Sequence, residues 1–289
     1  MILNKLKLYM DFIVIKHTVF AIPFAYLGAF LASKGIPSVH VLLWVGLAFI
    51  GARSGAMAIN NLIDKEIDLK NPRTKNRALP SGLIKVKEVI FLIIVSYFML
   101  FYSAYKLNYT CLLLAPLVPI TSFIYPYLKR FTYLSHLVLG LNLGYAPAGG
   151  WIAVTDSIDP IIFILTAAVT LWVAGFDIIY SLQDIDIDLA MNLKSIPSVF
   201  GIENALKISK TFHILMLALL FAFFMAMKLG IVFLFGLFII SILVMYEHKI
   251  VTRKTYKDIQ IAFFNVNAMI SMSMFIFTVL DVVFLGVRC

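Results

Sequence analysis

The sequence is poor in charge. Asp, Glu, Lys and Arg together supply 13% of its 289 residues, about half the share of a soluble domain. With a mean hydropathy of +0.97, this excludes an ordinary soluble fold. Cysteine is scarce too: Cys111 and Cys289 are the only two, one inside an apolar run and one at the last position. They provide neither a disulfide framework nor a thiolate metal spacing. There is no short-period internal repeat and no low-complexity tail. Acidic residues are outnumbered 15 to 24 by Lys and Arg, giving a net charge of +9. In so apolar a chain, that excess reads as basic loops on one side of a membrane rather than as a nucleic-acid surface.

What the chain has instead is hydrophobic length. About 20 apolar residues span a bilayer core as a helix. Nine such stretches are expected, at roughly 12–32, 40–63, 88–106, 109–127, 133–153, 160–181, 208–227, 229–247 and 260–285. Breaks are marked by Lys34-Gly35-Ile36-Pro37, Lys106-Leu107-Asn108, Asp156 to Pro160 and Lys228-Leu229-Gly230. The first stretch carries Asp11, Lys16 and His17 and no small-residue cleavage site. It reads as a retained helix. The N-terminus and the loops after spans two, four, six and eight hold 18 of the 24 Lys and Arg. The opposite side holds Lys34, Lys106, Lys228 and Arg288, while Lys16 and Arg53 lie within spans. The N-terminus is therefore expected in the cytoplasm and Cys289 outside. The expectation is one all-α polytopic domain over 1–289: nine transmembrane helices around a central cavity with a cytoplasmic cap.

Two acidic stretches interrupt this pattern. In NNLIDKEIDLKNPRTKNRALPSG, Asn60, Asp64 and Asp68 recur every four residues, which places them on one helix face. In GFDIIYSLQDIDIDL, Asp177, Asp184 and Asp188 fall within one arc with Tyr180 at its edge, while Asp186 points away. Asp177 lies in an apolar span, where a carboxylate is costly and usually functional. Two carboxylate clusters on one membrane face repel unless positive charge lies between them. A hard divalent cation with oxygen ligands, Mg²⁺ above all, fits that need together with substrate phosphate. Arg73, Lys75 and Arg77 follow the first cluster and Lys129-Arg130 closes the next cytoplasmic hairpin. These are candidates for a diphosphate, which Arg can clamp with paired hydrogen bonds.

These segments resemble the UbiA superfamily of intramembrane prenyltransferases over essentially the full chain. The family's N-D-x-x-D-x-x-x-D stands here as NNLIDKEID, followed by RTKNRALPSG. Its D-x-x-x-D stands as Asp184 and Asp188, with Asp177 and Tyr180 upstream. YPYLKRFTYLSHLVLG and KSIPSVFG match two further family segments. The usual Asp after the first Asn is Asn61 here, a difference that bears on the acceptor rather than the reaction. N-x-L-I-D followed by N-P-R-T is similar to the 4-hydroxybenzoate polyprenyltransferase-like branch.

The resemblance implies Mg²⁺ held by Asn60, Asp64, Asp68, Asp184 and Asp188. It implies a polyprenyl diphosphate bound by Arg73, Lys75, Arg77 and Lys129, with catalytic roles for Asp177, Tyr125 and Tyr180. Tyr125 and Tyr180 could face a prenyl cation with their rings; ordinary packing is the simpler reading of Tyr127. Arg53 lies seven residues before Asn60 on the same face, roughly 10 Å deeper by helix rise. It is either paired with a buried carboxylate such as Asp177 or bound to the carboxylate of an aromatic acceptor, and the family's spacing favours the second. The implied partners are the donor lipid, the aromatic acid and the bilayer of a bacterial or archaeal plasma membrane. The implied route is quinone biosynthesis, for ubiquinone with 4-hydroxybenzoate or for menaquinone with a naphthoate acid. A lipid or anion transporter is the reading from another class. Two carboxylate clusters at one face and the lack of inverted repeats count against it.

Overall fold

The computed structural model of the chain describes residues 8–13, 15–251 and 259–285. Lys5, Lys7, Arg253, Lys254, Lys257, Arg288 and Cys289, which entered the charge tally, lie outside them, as do the side chains of Lys16 and His17. Every regular element among the described residues is helical: α1 Ile15–Ser33, α2 Val39–Ile63, α3 Lys65–Lys70, α4 Val86–Leu107, α5 Tyr109–Leu114, α6 Leu117–Leu128, α7 Ser135–Thr155, α8 Ile161–Ser181, α9 Ile185–Ala190, α10 Ile196–Met227, α11 Ile231–Val251 and α12 Asn267–Val279. Six-residue π-helical stretches, Ile261–Val266 and Leu280–Leu285, flank α12.

Counting α5 with α6, α8 with α9, and α12 with its flanks, eight helices among the described residues are long and apolar enough to cross a membrane, against the nine expected. Helix α1 has a shorter apolar stretch, Ile22–Ser33. Large apolar side chains such as Phe98, Phe163, Phe238 and Met245 are exposed. Such surfaces need hydrocarbon around them, so this is an integral membrane protein.

The helix ends follow local chemistry. The Ser38 and Asn108 side chains accept from the Val41 and Cys111 N–H groups and cap α2 and α5. Ser195 and Ser198 form a reciprocal capping pair at α10. Lys34, Asp156 and Lys228 take left-handed backbone angles where α1, α7 and α10 end. Each lies at a break anticipated from sequence. Pro116 divides the expected fourth span into α5 and α6. The seventh begins twelve residues before its expected start: α10 opens at Ile196, and Gly201 breaks it with φ 77° and ψ 164°. Glu203, Asn204, Lys207 and Lys210 interrupt the apolar run after Gly201 and hid those first turns from a reading by hydrophobicity.

The helices form a ring. Helix α2 lies along α4, α8 packs between α7 and α10, and α12 returns against both α11 and α1. Helix α1 crosses α7 at close range: a Cβ on Gly28 would collide with the Pro147 carbonyl, and one on Gly150 with the Ala25 carbonyl. Small residues let helix backbones approach in lipid, where no hydrophobic effect draws them together. The remaining ring contacts include a buried polar network. Trp172 Nε1 donates to Asn267 Oδ1 at 3.0 Å, and Asn267 Nδ2 donates to Glu247 Oε1 at 3.2 Å. The fully buried His213 stands 3.6 Å from Glu247 Oε2 and 2.9 Å from His248. The network fastens α8, α10, α11 and α12 where an unpaired polar group would be costly.

The α1–α7 crossing separates two adjacent glycines. Gly150→Ala must push α1 off its partner, a cost of about 1–3 kcal/mol for overpacking, and should lower the unfolding midpoint in detergent. A Cβ on Gly149 meets nothing within 4 Å, so Gly149→Ala should hold or raise that midpoint, because Ala is the better helix former. Parallel thermal unfolding of the two variants checks this; equal losses would refute the close crossing.

Candidate active site

Asn60 to Asp68 keep the four-residue spacing across a break. Helix α2 ends at Ile63 and Asp64 has φ −88° and ψ 2°. The Asp64 N–H still donates to Asn60 O, and Asp68 N–H to Asp64 O. The second stretch is also interrupted. Helix α8 ends at Ser181, a 3₁₀ turn covers Leu182–Asp184, and α9 begins at Ile185. That interruption turns Asp177, Asp184 and Asp188 to different partners. Asp186 is exposed, as its angle demanded.

Three loops meet at one end of the ring. Arg73 crosses to Asp184 with two bonds, Nε to Oδ1 at 3.0 Å and Nη2 to Oδ2 at 2.5 Å. Its Nη1 donates to the Tyr180 hydroxyl at 3.1 Å. Asn71 Nδ2 donates to Asp184 Oδ1 at 2.7 Å. From the hairpin after α6, Lys129 Nζ reaches Asp64 Oδ2 at 2.5 Å. Arg77 bonds both oxygens of Asp68, at 3.1 and 3.2 Å. Ser195 Oγ donates to Asp188 Oδ2 at 2.7 Å, and the Lys194 N–H donates to the Lys129 carbonyl. Both acidic stretches thus share one face, and the positive charge between them comes from the protein's own Arg and Lys.

Lys75 stands exposed, outside these contacts. Arg130 donates to the Pro126 and Ile63 carbonyls and braces the hairpin. Asn61 is buried and donates to the Phe12 carbonyl at 3.3 Å. A carboxylate could not make that bond, which gives the amide at this position a physical reason.

Among the described residues, no three of His, Cys, Asp and Glu converge as a metal cage. The donors nonetheless suit a hard divalent cation: they are carboxylate and amide oxygens. The buried Oδ1 of Asp64 has no hydrogen-bond partner. Burial pushes the Asp64 carboxyl above its ordinary range, against the Lys129 ammonium, which draws it down. One further positive ligand at Oδ1 would answer both features.

Behind the mouth lies a cavity of about 490 Å³. Asn60, Arg77, Asp177 and Tyr180 line it near the mouth, with Arg53 and Tyr125 also in its wall. Tyr180 packs on Phe263 with ring centroids 4.0 Å apart, and Arg73 lies 5.4 Å over its face. A second pocket of about 190 Å³ shares Arg53 and Tyr125. Its other walls are almost wholly apolar and rich in small residues, among them Ala48, Ala52, Ala146 and Gly149. Arg53 Nε is buried and without a hydrogen-bond partner. No ion pair joins Arg53 to Asp177 among the described residues; Asp177 is instead 2.7 Å from His136 Nδ1. Sequence reasoning missed His136, Asn71 and Ser195. Asn71 and Ser195 sit in the quoted polar loops, but nothing in the spacing of His136 pointed to its partner.

Comparison with known proteins agrees with this geometry. The UbiA prenyltransferase family matches residues 21–276. The 4-hydroxybenzoate octaprenyltransferase of Vibrio atlanticus is 32% identical over 224 residues, 78% of each chain. That of Vibrio cholerae is 30% identical over 237 residues, 82% of this chain and 83% of its own. Among solved structures, the apo form of a UbiA homolog from Aeropyrum pernix K1 is 34% identical. It covers 92% of this chain and 98% of its own, with a TM-score of 0.85. A UbiA homolog from Archaeoglobus fulgidus bound to GPP and Mg²⁺ shares the fold at 20% identity and a TM-score of 0.69. The match across nearly the whole membrane bundle, with both acidic stretches inside it, makes this chain a member of the UbiA prenyltransferase family.

Proposed function

We propose that the protein transfers a polyprenyl group from polyprenyl diphosphate to the ring of an aromatic acid, 4-hydroxybenzoate, with Mg²⁺ as cofactor. The observation that carries the proposal is the adjacency of two pockets: one lined by the charged residues of the mouth, one almost wholly apolar, with the buried Arg53 in the wall of both. Only an amphipathic lipid with an anionic head and a small anionic co-substrate use all three parts. The relatives named as 4-hydroxybenzoate octaprenyltransferases support the acceptor.

In this reading Arg73, Arg77 and Lys129 hold the diphosphate, already gathered at the mouth by Asp184, Asp68 and Asp64. Lys75, exposed, is left out of that set. Asn60, Asp64, Asp68, Asp184 and Asp188 hold the cation, which when bound offsets the charge of the leaving diphosphate. The apolar pocket takes the prenyl chain and keeps water from the reacting carbon. Tyr125 and Tyr180 present ring faces to the positive charge that develops there. Arg53 binds the acceptor carboxylate, and its buried Nε supplies a donor that nothing else uses. The C–O bond of the donor breaks, the ring attacks the prenyl carbon and a C–C bond forms. In this reading the mouth, with its basic loops, faces the cytoplasm of a bacterial or archaeal cell.

Asp64→Ala and Asp184→Ala should each abolish turnover, while Asp186→Ala should be mild. EDTA should stop the reaction and Mg²⁺ restore it. Product formation from geranyl diphosphate and 4-hydroxybenzoate in detergent reads all of these, and full activity in EDTA would sink the metal assignment. A carboxylate contact with Arg is commonly bidentate, so Lys replaces it poorly. Arg53→Lys should therefore raise the KM for the acid about tenfold or more, the loss of one charge-assisted hydrogen bond, and leave that for the donor near its starting value. Impaired donor binding alone would refute the acceptor role. Single cysteines at 75 and 194 should label from the cytoplasm and one at 156 from outside; labelling of 75 and 194 from opposite sides would contradict the shared mouth.

A further inference from the structure

We propose that His136 is a positioning residue that fixes the Asp177 carboxylate at the cavity wall as acceptor of the ring proton released on prenyl transfer. The inference rests on the prenyl-transfer reading above and assigns a step that reading leaves open.

The reaction must dispose of a proton. When the donor C–O bond breaks, its electron pair leaves with the diphosphate. A ring π pair forms the new C–C bond. The ring regains aromaticity only when the C–H pair at that carbon returns to it, and a base takes the proton. Water is a poor choice, because a water in contact with the prenyl carbon would capture it. The cavity wall offers few alternatives. Arg53 and Arg77 cannot accept a proton. Tyr125 and Tyr180 are phenols, acids rather than bases. Two carboxylates line the cavity, Asp11 and Asp177. Asp11 is exposed, whereas Asp177 lies on α8, a turn inside its end at Ser181, in the wall that also holds Arg53 and Tyr125.

The geometry around Asp177 is that of a held base. Its Oδ2 is 2.7 Å from His136 Nδ1, and the two side chains are 21% and 5% exposed. The other imidazole nitrogen decides the tautomer. The Ile196 backbone N–H donates to His136 Nε2 at 3.2 Å, so Nε2 carries the lone pair and Nδ1 carries the hydrogen. Nδ1–H therefore donates to Asp177. That bond locks the rotamer of the carboxylate. Among the described residues Oδ1 has no hydrogen bond and is available to the ring proton. The chain of contacts also reaches the mouth. Ile196 follows Ser195, whose hydroxyl holds Asp188. The segment that shapes the donor site thus also sets the imidazole that orients the base.

The test compares wild type with His136→Leu, His136→Asn and His136→Gln in detergent with Mg²⁺, geranyl diphosphate and 4-hydroxybenzoate. An Asn amide nitrogen falls near Nδ1 and keeps the donor to Asp177; a Gln amide falls near Nε2 and does not. His136→Leu should lower kcat by about 10²-fold, the lower end of what a general base contributes, with the donor KM unchanged. His136→Asn should recover most of that loss and His136→Gln should not. With acceptor deuterated beside the hydroxyl, a primary isotope effect should emerge in His136→Leu and exceed that of wild type. Unfolding midpoints identify any variant that fails to fold; the Asn and Gln pair then decides. Absence of an isotope effect in His136→Leu, or Asn and Gln variants impaired alike, would overturn the proposal while leaving the prenyl-transfer reading intact. Failure of the wild type to prenylate any aromatic acid overturns both.

Discussion

Charge compensation at one end of a membrane bundle is the constraint on which the rest of this structure depends. Carboxylates at the junction of α2 and α3, on α3 and α9 and in the turn between α8 and α9 stand together at that end. Each is met by a donor from another segment: Lys129 for Asp64, Arg77 for Asp68, Arg73 for Asp184 and Ser195 for Asp188. Like charges in a partly desolvated mouth repel strongly, and opposite charges there attract more than in bulk water. The ion pairs therefore do two things together. They tie three loops across the ring, and in the proposed reading they hold in place the cations that would meet a diphosphate. Charged groups so arranged are pre-organised for an anion, since little further ordering is required when it arrives.

The same economy governs the interior. Arg53 stands nearly three turns inside α2, in the walls of two pockets, and in the proposed reading an anionic ligand meets its guanidinium there. Glu247 and His213 are tolerated because Asn267, Trp172 and His248 surround them. One set faces the cavity and is read as chemistry. The other is closed off and fastens four helices. Polarity within the membrane is thus divided between function and cohesion, and the division follows from whether a polar atom opens on a cavity or on a partner.

Much of the fold was legible in the chain because a bilayer imposes simple rules. Apolar length marks the helices, and Gly, Pro and Asn mark the breaks. Lys34, Asp156 and Lys228 end their helices where the composition changes. The early start of α10 was not legible, since Ile196–Phe200 is a short helical turn ahead of Gly201, cut off from the long apolar run by Glu203, Asn204, Lys207 and Lys210. The acidic stripes were legible through their spacing and through the family segments they belong to. Lys75 and Arg77 are both exposed, yet of the two only Arg77 bonds a carboxylate, because loop geometry rather than composition decides which cation meets one.

By itself the sequence determined the helical class, the side of the membrane richest in basic charge and the two acidic stretches with their oxygen donors. Those properties depend on composition and on spacing within one helix, so neighbours in the chain suffice to define them. Tertiary structure alone decided the pairings: Lys129 with Asp64 across 65 residues, Arg73 with Asp184 across 111, His136 with Asp177 across 41. It also decided that Asn61 donates to Phe12 rather than joining the carboxylates. A hydrogen bond between distant segments depends on how whole helices cross. Helix crossing is set by packing, such as that of Gly28 and Gly150 between α1 and α7, which no periodicity within a single helix encodes.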